Sequence, residues 1–216
     1  LVGVRHTKYW SVAFCPKQCV FSDAVVVFSC CTFGSFAVIQ SSLHQAWAWE
    51  YSGSLKRDLR YSPSDCFENF AFPLSHQNAS LSGRAFHDQR KAVMARRFEG
   101  LTATYNHFHD PDEAAADIQK LRDLHVMMDK AVTAAYGWDD LKLDHGFHQT
   151  KQGLRFTISE PARREVLARL LKLNHERYAE EVAKGLHEKG KGKGGAKGKR
   201  IKGAEVEDDG LFGGGE

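Results

Sequence analysis

The run Ile118-Gln119-Lys120-Leu121-Arg122-Asp123-Leu124-His125-Val126-Met127-Met128-Asp129-Lys130-Ala131-Val132-Thr133-Ala134-Ala135-Tyr136-Gly137 decides the fold class. Ile118, Leu121, His125, Met128, Val132 and Ala135 recur by threes and fours, the spacing of one face of an α-helix, and Gly137 supplies a stop. Upstream, Asp110-Pro111-Asp112-Glu113 predicts the start of that helix, because acidic groups and a proline suit a helix N-terminus. Phe86, Val93, Met94, Arg97 and Leu101 fit a preceding helix that stops at Gly100, and Thr102 caps a short continuation through Tyr105 and Phe108. Downstream, Ser159-Glu160-Pro161 opens a last helix expected to bury Val166, Leu167, Leu170, Leu171, Tyr178 and Val182, after a brief strand over 154–158. Helices with such stripes pack as a small antiparallel bundle.

Nearer the N-terminus the pattern changes. Tyr9-Trp10-Ser11-Val12-Ala13-Phe14, Ala24-Val25-Val26-Val27-Phe28 and Phe36-Ala37-Val38-Ile39 are short, β-branched and aromatic runs punctuated by Pro16, Asp23 and Gly34, and they read as strands. Residues 43–51 read as a helix capped by Ser41 or Ser42, and residues 53–82 as loop carrying Phe67, Phe70 and Phe72. The fold class is therefore α+β. A β-rich part spans 1–82, a helical domain spans 83–189, and the Gly/Lys-rich then acidic stretch 190–216 reads as a disordered tail.

With 216 residues, 42% of them hydrophobic, and a mean hydropathy of −0.45, the chain is neither collagen, nor a disulfide mini-protein, nor a multi-span membrane protein. The apolar stretch around residues 20–28 is far shorter than the roughly 20 residues of a spanning helix and lacks the layout of an export signal. Five cysteines, two of them adjacent at Cys30-Cys31, read as reduced thiols of a cytoplasmic protein. Thirty Lys and Arg against 27 Asp and Glu give a net charge of only +3, so bulk charge does not single out nucleic acid.

Self-sufficient catalytic motifs do not occur: there is no Gly-rich phosphate loop, GxSxG, HExxH or CxxC. Cys15 and Cys19 have a spacing that zinc sites use, without a matching second pair, and read as buried thiols. His107 and His109 chelate one ion only from extended backbone, since positions i and i+2 diverge on a helix. Asp112 with Asp140 and Lys142 matches the PD…(D/E)xK nuclease pattern formally, but that pattern holds its second half on a strand beside the first aspartate, whereas Asp112 is expected to open a helix and a long helix to intervene before a turn at Trp138. No catalytic, cofactor or metal residue is assigned. Basic clusters carry more: Lys56-Arg57-Asp58-Leu59-Arg60-Tyr61 in a loop, and Arg84, Arg90, Lys91, Arg96 and Arg97 on the first bundle helix. These either contact phosphates and base edges or are surface charges paired with Asp58, Asp88 or Glu99.

Longer strings carry a resemblance. Residues 41–47 (SSLHQAW) and 58–73 (DLRYSPSDCFENFAFP) resemble the target-recognition end of fused DNA adenine-N6 methyltransferases, the type II G restriction–modification enzymes and their methylase-only relatives. Gly100-Leu101-Thr102 with Tyr105-Asn106, His109-Asp110-Pro111, residues 134–141 (AAYGWDDL), 155–159 (RFTIS) and 173–178 (LNHERY) are similar to the helical segment that closes those proteins. The resemblance runs from about Tyr9 to Lys189. It implies double-stranded DNA as partner and S-adenosylmethionine as the parent enzyme's cofactor. The family's Asn/Asp-Pro-Pro-Tyr/Phe motif, which holds and stacks a flipped adenine, has no counterpart: the five prolines, at 16, 63, 73, 111 and 161, are never adjacent. The resemblance thus implies a C-terminal recognition fragment, or a truncated chain, that works with a methyltransferase domain in cis or trans. Loops of the β-rich part would enter the major groove while the bundle braces them and touches backbone phosphates. Lys56, Arg57 and Arg60 are the candidate DNA contacts, and the alternative for Arg60 is pairing with Asp65 or Glu68. Trp47, Trp138, Phe67, Phe70 and Phe72 read as core. The competing function is a helical protein-interaction scaffold with no DNA readout of its own.

Overall fold

The computed structural model describes residues 1–16, 18–55 and 58–186. The expected tail at 190–216 lies outside them. Short strands come first: β1 (Val2–Val4), β2 (His6–Thr7), β3 (Val12–Ala13) and β4 (Val25–Val27). Two helices follow, α1 (Phe33–Gln40) and α2 (Ser42–Tyr51), then β5 (Gly53–Leu55) and β6 (Asp58–Arg60). The helical part holds α3 (Ser80–Arg97), α4 (Leu101–Phe108), α5 (Ala116–Ala135) and α6 (Glu160–Ala183), with a hairpin, β7 (Gly146–Thr150) and β8 (Gly153–Thr157), inserted before α6. The strands form three antiparallel sheets in the orders β3-β1-β4, β2-β6-β5 and β7-β8. This is the α+β arrangement expected, with its strands shorter than the apolar runs that announced them.

The run 36–39 is a correction: it lies in α1, not in a strand. Thr32 caps that helix by accepting from the Ser35 N–H at 3.1 Å, and every residue from Gly34 to Gln40 is buried. A helix enclosed on all sides has no polar face, so an apolar run of four cannot reveal its period. Ser41 then caps α2 by accepting from His44 N–H at 3.3 Å. Gly83 lets α3 approach α1, since a Cβ there would stand 2.4 Å from the Phe33 carbonyl oxygen. One core runs through both parts: Trp10, Phe36, Leu43 and Trp47 join Phe86, Phe108, Met128 and Leu170.

Four further expectations need correction. Residues 53–82 are not continuous loop: they contain the β5–β6 hairpin, a π-helical turn at Pro63–Phe67, a 3-10 turn at Gln77–Ala79 and the start of α3. α3 ends at Phe98, which takes the left-handed conformation at φ 53°, and Gly100 instead precedes α4. Asp112 does not open α5, which begins at Ala116. Residues 110–113 form a turn in which the Asp110 carboxylate accepts from the Asp112 N–H at 3.0 Å. Finally, α6 buries Ala162, Val166 and Leu170 but leaves Leu171, Tyr178 and Val182 exposed at 37%, 57% and 49%. Ser159 caps that helix as expected, accepting from Ala162 N–H at 3.3 Å.

Polar ties join the two parts. Arg90, 3% exposed, donates to the Val12 carbonyl (2.6 Å), Gln40 Oε1 and the Tyr105 hydroxyl (both 3.1 Å). Asp129, fully buried, accepts from the Ser42 N–H at the start of α2 (2.9 Å) and contacts His145 Nε2 (2.7 Å). The Ser42 hydroxyl lies 3.0 Å from His125 Nε2. Ser, His and Asp are close here without forming a relay: Asp129 and Ser42 both meet His125 at Nε2, and its buried Nδ1 has no partner. Among the described residues, no helix is long and apolar enough to cross a membrane.

Candidate nucleic-acid interface

Alternation along β6 sets the direction of its side chains. Leu59 is fully buried, whereas Asp58 and Arg60 face out. Tyr61, next in the chain, is buried again: its ring stacks on Trp10 at 4.0 Å and 11°, and its hydroxyl lies 2.9 Å from His44 Nε2. Burial pushes the Tyr61 hydroxyl pKa upward and pulls His44 down to about 3, so both are neutral around pH 7. Arg60 thus projects from backbone gripped on either side by core residues, the geometry a reading side chain needs.

Arg60 pairs in register with His6 on β2 and with Gly53 on β5. Its side chain borders a cavity of about 590 Å³, shared with Arg5, His6 and Ser62 and with the carboxylates Asp23 and Asp65. Among the described residues, neither Arg5 nor Arg60 forms an ion pair within 4.0 Å, so the alternative partners of Arg60, Asp65 and Glu68, do not engage it. Arg5 and His6 were missed in the sequence because they precede the first apolar run. Lys56 and Arg57 lie outside the described residues.

The basic cluster on α3 is divided: Arg90 and Arg97 are taken up by the fold, whereas Arg84, Lys91 and Arg96 stay exposed. Arg90 is the interior tie described above, and Arg84 lies over the Phe33 ring at 4.6 Å. Arg97 holds Asp117 in a two-pronged contact at 2.7 and 3.0 Å and Glu113 at 3.3 Å, so its partners are neither Asp88 nor Glu99. These bonds hold the Asp117 carboxyl below its ordinary pKa and raise that of Arg97. His107 meets Glu113 at 2.8 Å, while His109 Nδ1 accepts from the Phe156 N–H at 3.2 Å, so the two imidazoles serve different partners. Among the described residues, no three His, Cys, Asp or Glu gather as a metal-binding set. Asp140 is gripped by Arg169 at 2.6 and 2.9 Å, a structural role for that half of the nuclease-like pattern. Cys15 and Cys19 are exposed, against the expectation that they are buried. Trp47 and Phe70 are core, and Phe67, Phe72 and Trp138 pack against it, as read from the sequence.

Residues 2–74 match the family model described as MmeI, target recognition domain. The matched stretch contains Arg5, His6 and Arg60, and all of the β2–β6–β5 sheet. A solved structure, described as the type IIL restriction–modification enzyme MmeI in complex with DNA, is similar to this chain with a TM-score of 0.54 at 17% identity. That likeness is one of fold; it covers 82% of this chain and 21% of the MmeI chain, so the protein spans about a fifth of that enzyme's length. It extends beyond the domain match into the helical part. A search of curated proteins by sequence finds no match.

Proposed function

We propose that this chain is a DNA sequence-recognition part of a site-specific adenine-N6 methyltransferase of the type II G kind, in a restriction–modification or phage-defence system. The observation that carries the reading is the match of residues 2–74 to a target recognition domain, within which Arg60 and Arg5, without an ion pair among the described residues, line one cavity with His6. Arginine forks suit guanine edges and phosphates alike, and side chains without carboxylate partners keep their donors for a ligand. Methyl transfer from S-adenosylmethionine is assigned to a methyltransferase domain in cis or trans.

Competition binding with a randomised duplex tests the reading. The chain is expected to enrich a defined sequence, and Arg60→Ala to relax the preference at one position, at a cost of about 1–3 kcal/mol if Arg60 meets a base edge. Equal binding to all duplexes would refute sequence recognition. The second reading, a protein-interaction scaffold, draws on the exposed side chains Leu171, Val182 and Leu186 along and just beyond α6. A scaffold binds duplex weakly at every salt concentration, whereas a reader loses affinity steeply as salt rises.

A further inference from the structure

The β7–β8 hairpin is fixed to the core from three directions. His145, just before β7, meets the buried Asp129 at 2.7 Å; Phe156 packs edge-on to Phe108 with ring centroids 5.4 Å apart; and the Phe156 N–H donates to His109. Beside this hairpin lies a cleft of about 300 Å³ whose walls include α2 and the start of α6. Into it come cations from two separate stretches of chain: Lys8 after β2, and Lys151 at the hairpin turn with Arg155 on β8. Lys8 Nζ and Arg155 Cζ lie 4.8 and 5.0 Å from the centroid of one ring, that of the buried Tyr9.

Gathering like charges costs free energy unless something offsets it, and no carboxylate does so here. Among the described residues, Lys8, Lys151 and Arg155 form no ion pair within 4.0 Å. Lys8 spends one donor on Asn106 Oδ1 at 3.1 Å, and Arg155 spends one on the Leu154 carbonyl at 2.9 Å. Lysine has three donors and arginine five, so most remain unspent. The two carboxylates of the cleft, Glu50 and Glu160, are both engaged by Arg163, at 3.4 and 2.7 Å. The surplus charge is therefore positive. Its effect reaches His109, stacked on Tyr9 at 4.9 Å: burial holds that imidazole well below its ordinary pKa, and Arg155 and Lys8 add to the shift.

We infer that the hairpin cleft is a phosphate-holding site, in which Lys8, Lys151 and Arg155 grip phosphodiester groups of the duplex that the β-rich part reads. The inference rests on the DNA-recognition reading and places a backbone contact at the hairpin, since two of the α3 arginines, Arg90 and Arg97, are bound into the fold. Arg5 and His6 border the first cavity and Lys8 the second, so one stretch of four residues, 5–8, links the reading face to the phosphate site. Phosphate contacts set register and orientation without carrying sequence information.

The test measures duplex affinity of the full chain against salt concentration, for the unmodified protein and for Lys151→Gln/Arg155→Gln. Loss of two phosphate contacts is expected to make the slope of log affinity against log salt shallower by about 1.8, roughly 0.9 per phosphate. Sequence preference should not change, and Lys151→Gln alone, which keeps Arg155, should recover about half of the lost slope. Circular dichroism melting verifies that both variants are folded. An unchanged slope in a folded double variant would overturn the inference while leaving the reading intact. A deoxynucleoside monophosphate that binds the cleft while the variants leave the duplex slope untouched would overturn it in favour of a free nucleotide site. No duplex binding by the unmodified chain at any salt would overturn the reading, and the phosphate site with it.

Discussion

Buried and exposed arginines of this protein differ in what their donors meet. Arg122, 2% exposed, directs its fork at four carbonyls: Phe108 and Glu113 at 2.9 Å, His107 at 3.0 Å and Asp110 at 2.6 Å. Its guanidinium also lies over the rings of Phe147 and Phe156, at 4.9 and 5.7 Å. Arg90 is saturated in the same way. Arg60 on β6 and Arg5 just before β2, both within the recognition-domain match, have no such set of partners among the described residues. The same residue type therefore closes turns where its hydrogen bonds are filled and stands ready for a ligand where they are not. Partner saturation separates structural from functional arginines here better than clustering in sequence does.

The sharpest way to break that distinction is to remove Arg122. Arg122→Ala leaves the carbonyls of the 107–113 turn without their donor and uncovers the rings of Phe147 and Phe156. A loss of about 3–5 kcal/mol is expected from urea denaturation, within the range for breaking a buried polar network. A loss below about 1 kcal/mol would show that water replaces the fork at little cost. Asp129→Ala ranks next, at about 3 kcal/mol, because it strips the Ser42 N–H, His125 and His145 of one shared acceptor. Hydrogen exchange should show the β7–β8 hairpin loosening first, since His145 is one of its anchors.

How much of this was legible follows from the physics of each element. The stripe of α5 was readable because Ile118, Leu121, His125, Met128 and Val132 bury one face and leave the other wet. α1 was not, since it is buried on every side and a buried helix and a buried strand share one composition. The β5–β6 hairpin is completed by β2, distant in sequence, and the π-helical turn packs against α2, so neither is marked by a local signal. Leu171 and Val182 continue the helical spacing of α6 while the core beneath ends near Leu170: periodicity records which face is apolar, not where its cover stops. For the site, Arg60 was legible from the motif that contains it. Arg5 and His6 come to Arg60, and Lys8 to Arg155, only through folding.

Acid should expose another side of the comparison. Buried His44 titrates at about 3 in the folded protein against an ordinary 6.5, because burial disfavours the imidazolium. Between those values the unfolded chain binds more protons, so stability rises with pH across the window and falls as pH drops through it. His109 and His125 are lowered by burial too and act in the same direction. One such histidine gives a slope of up to about 1.4 kcal/mol per pH unit. His44→Gln, which keeps a partner for the Tyr61 hydroxyl, should reduce the measured slope between about pH 5.5 and 4 by one proton. An unchanged slope would mean that His44 is protonated in the folded state.

The smallest effect on stability is expected where the effect on binding is largest. Arg60 is exposed, has no ion pair among the described residues, and sits between Leu59 and Tyr61, whose burial holds the strand regardless of its neighbour. Arg60→Ala should therefore change the unfolding free energy by no more than about 0.5 kcal/mol, the usual range for a surface position, and Arg5→Ala by a similar amount. Arg122→Lys sharpens the contrast: it keeps the charge but not the fork, and should still cost about 2 kcal/mol or more because one ammonium cannot serve four carbonyls spread around the turn. If Arg60→Ala instead lowered stability by more than about 1 kcal/mol, its donors would be committed to the fold. Arg60 would then belong with Arg90 and Arg122, and the free-donor argument that makes it a DNA contact would fail.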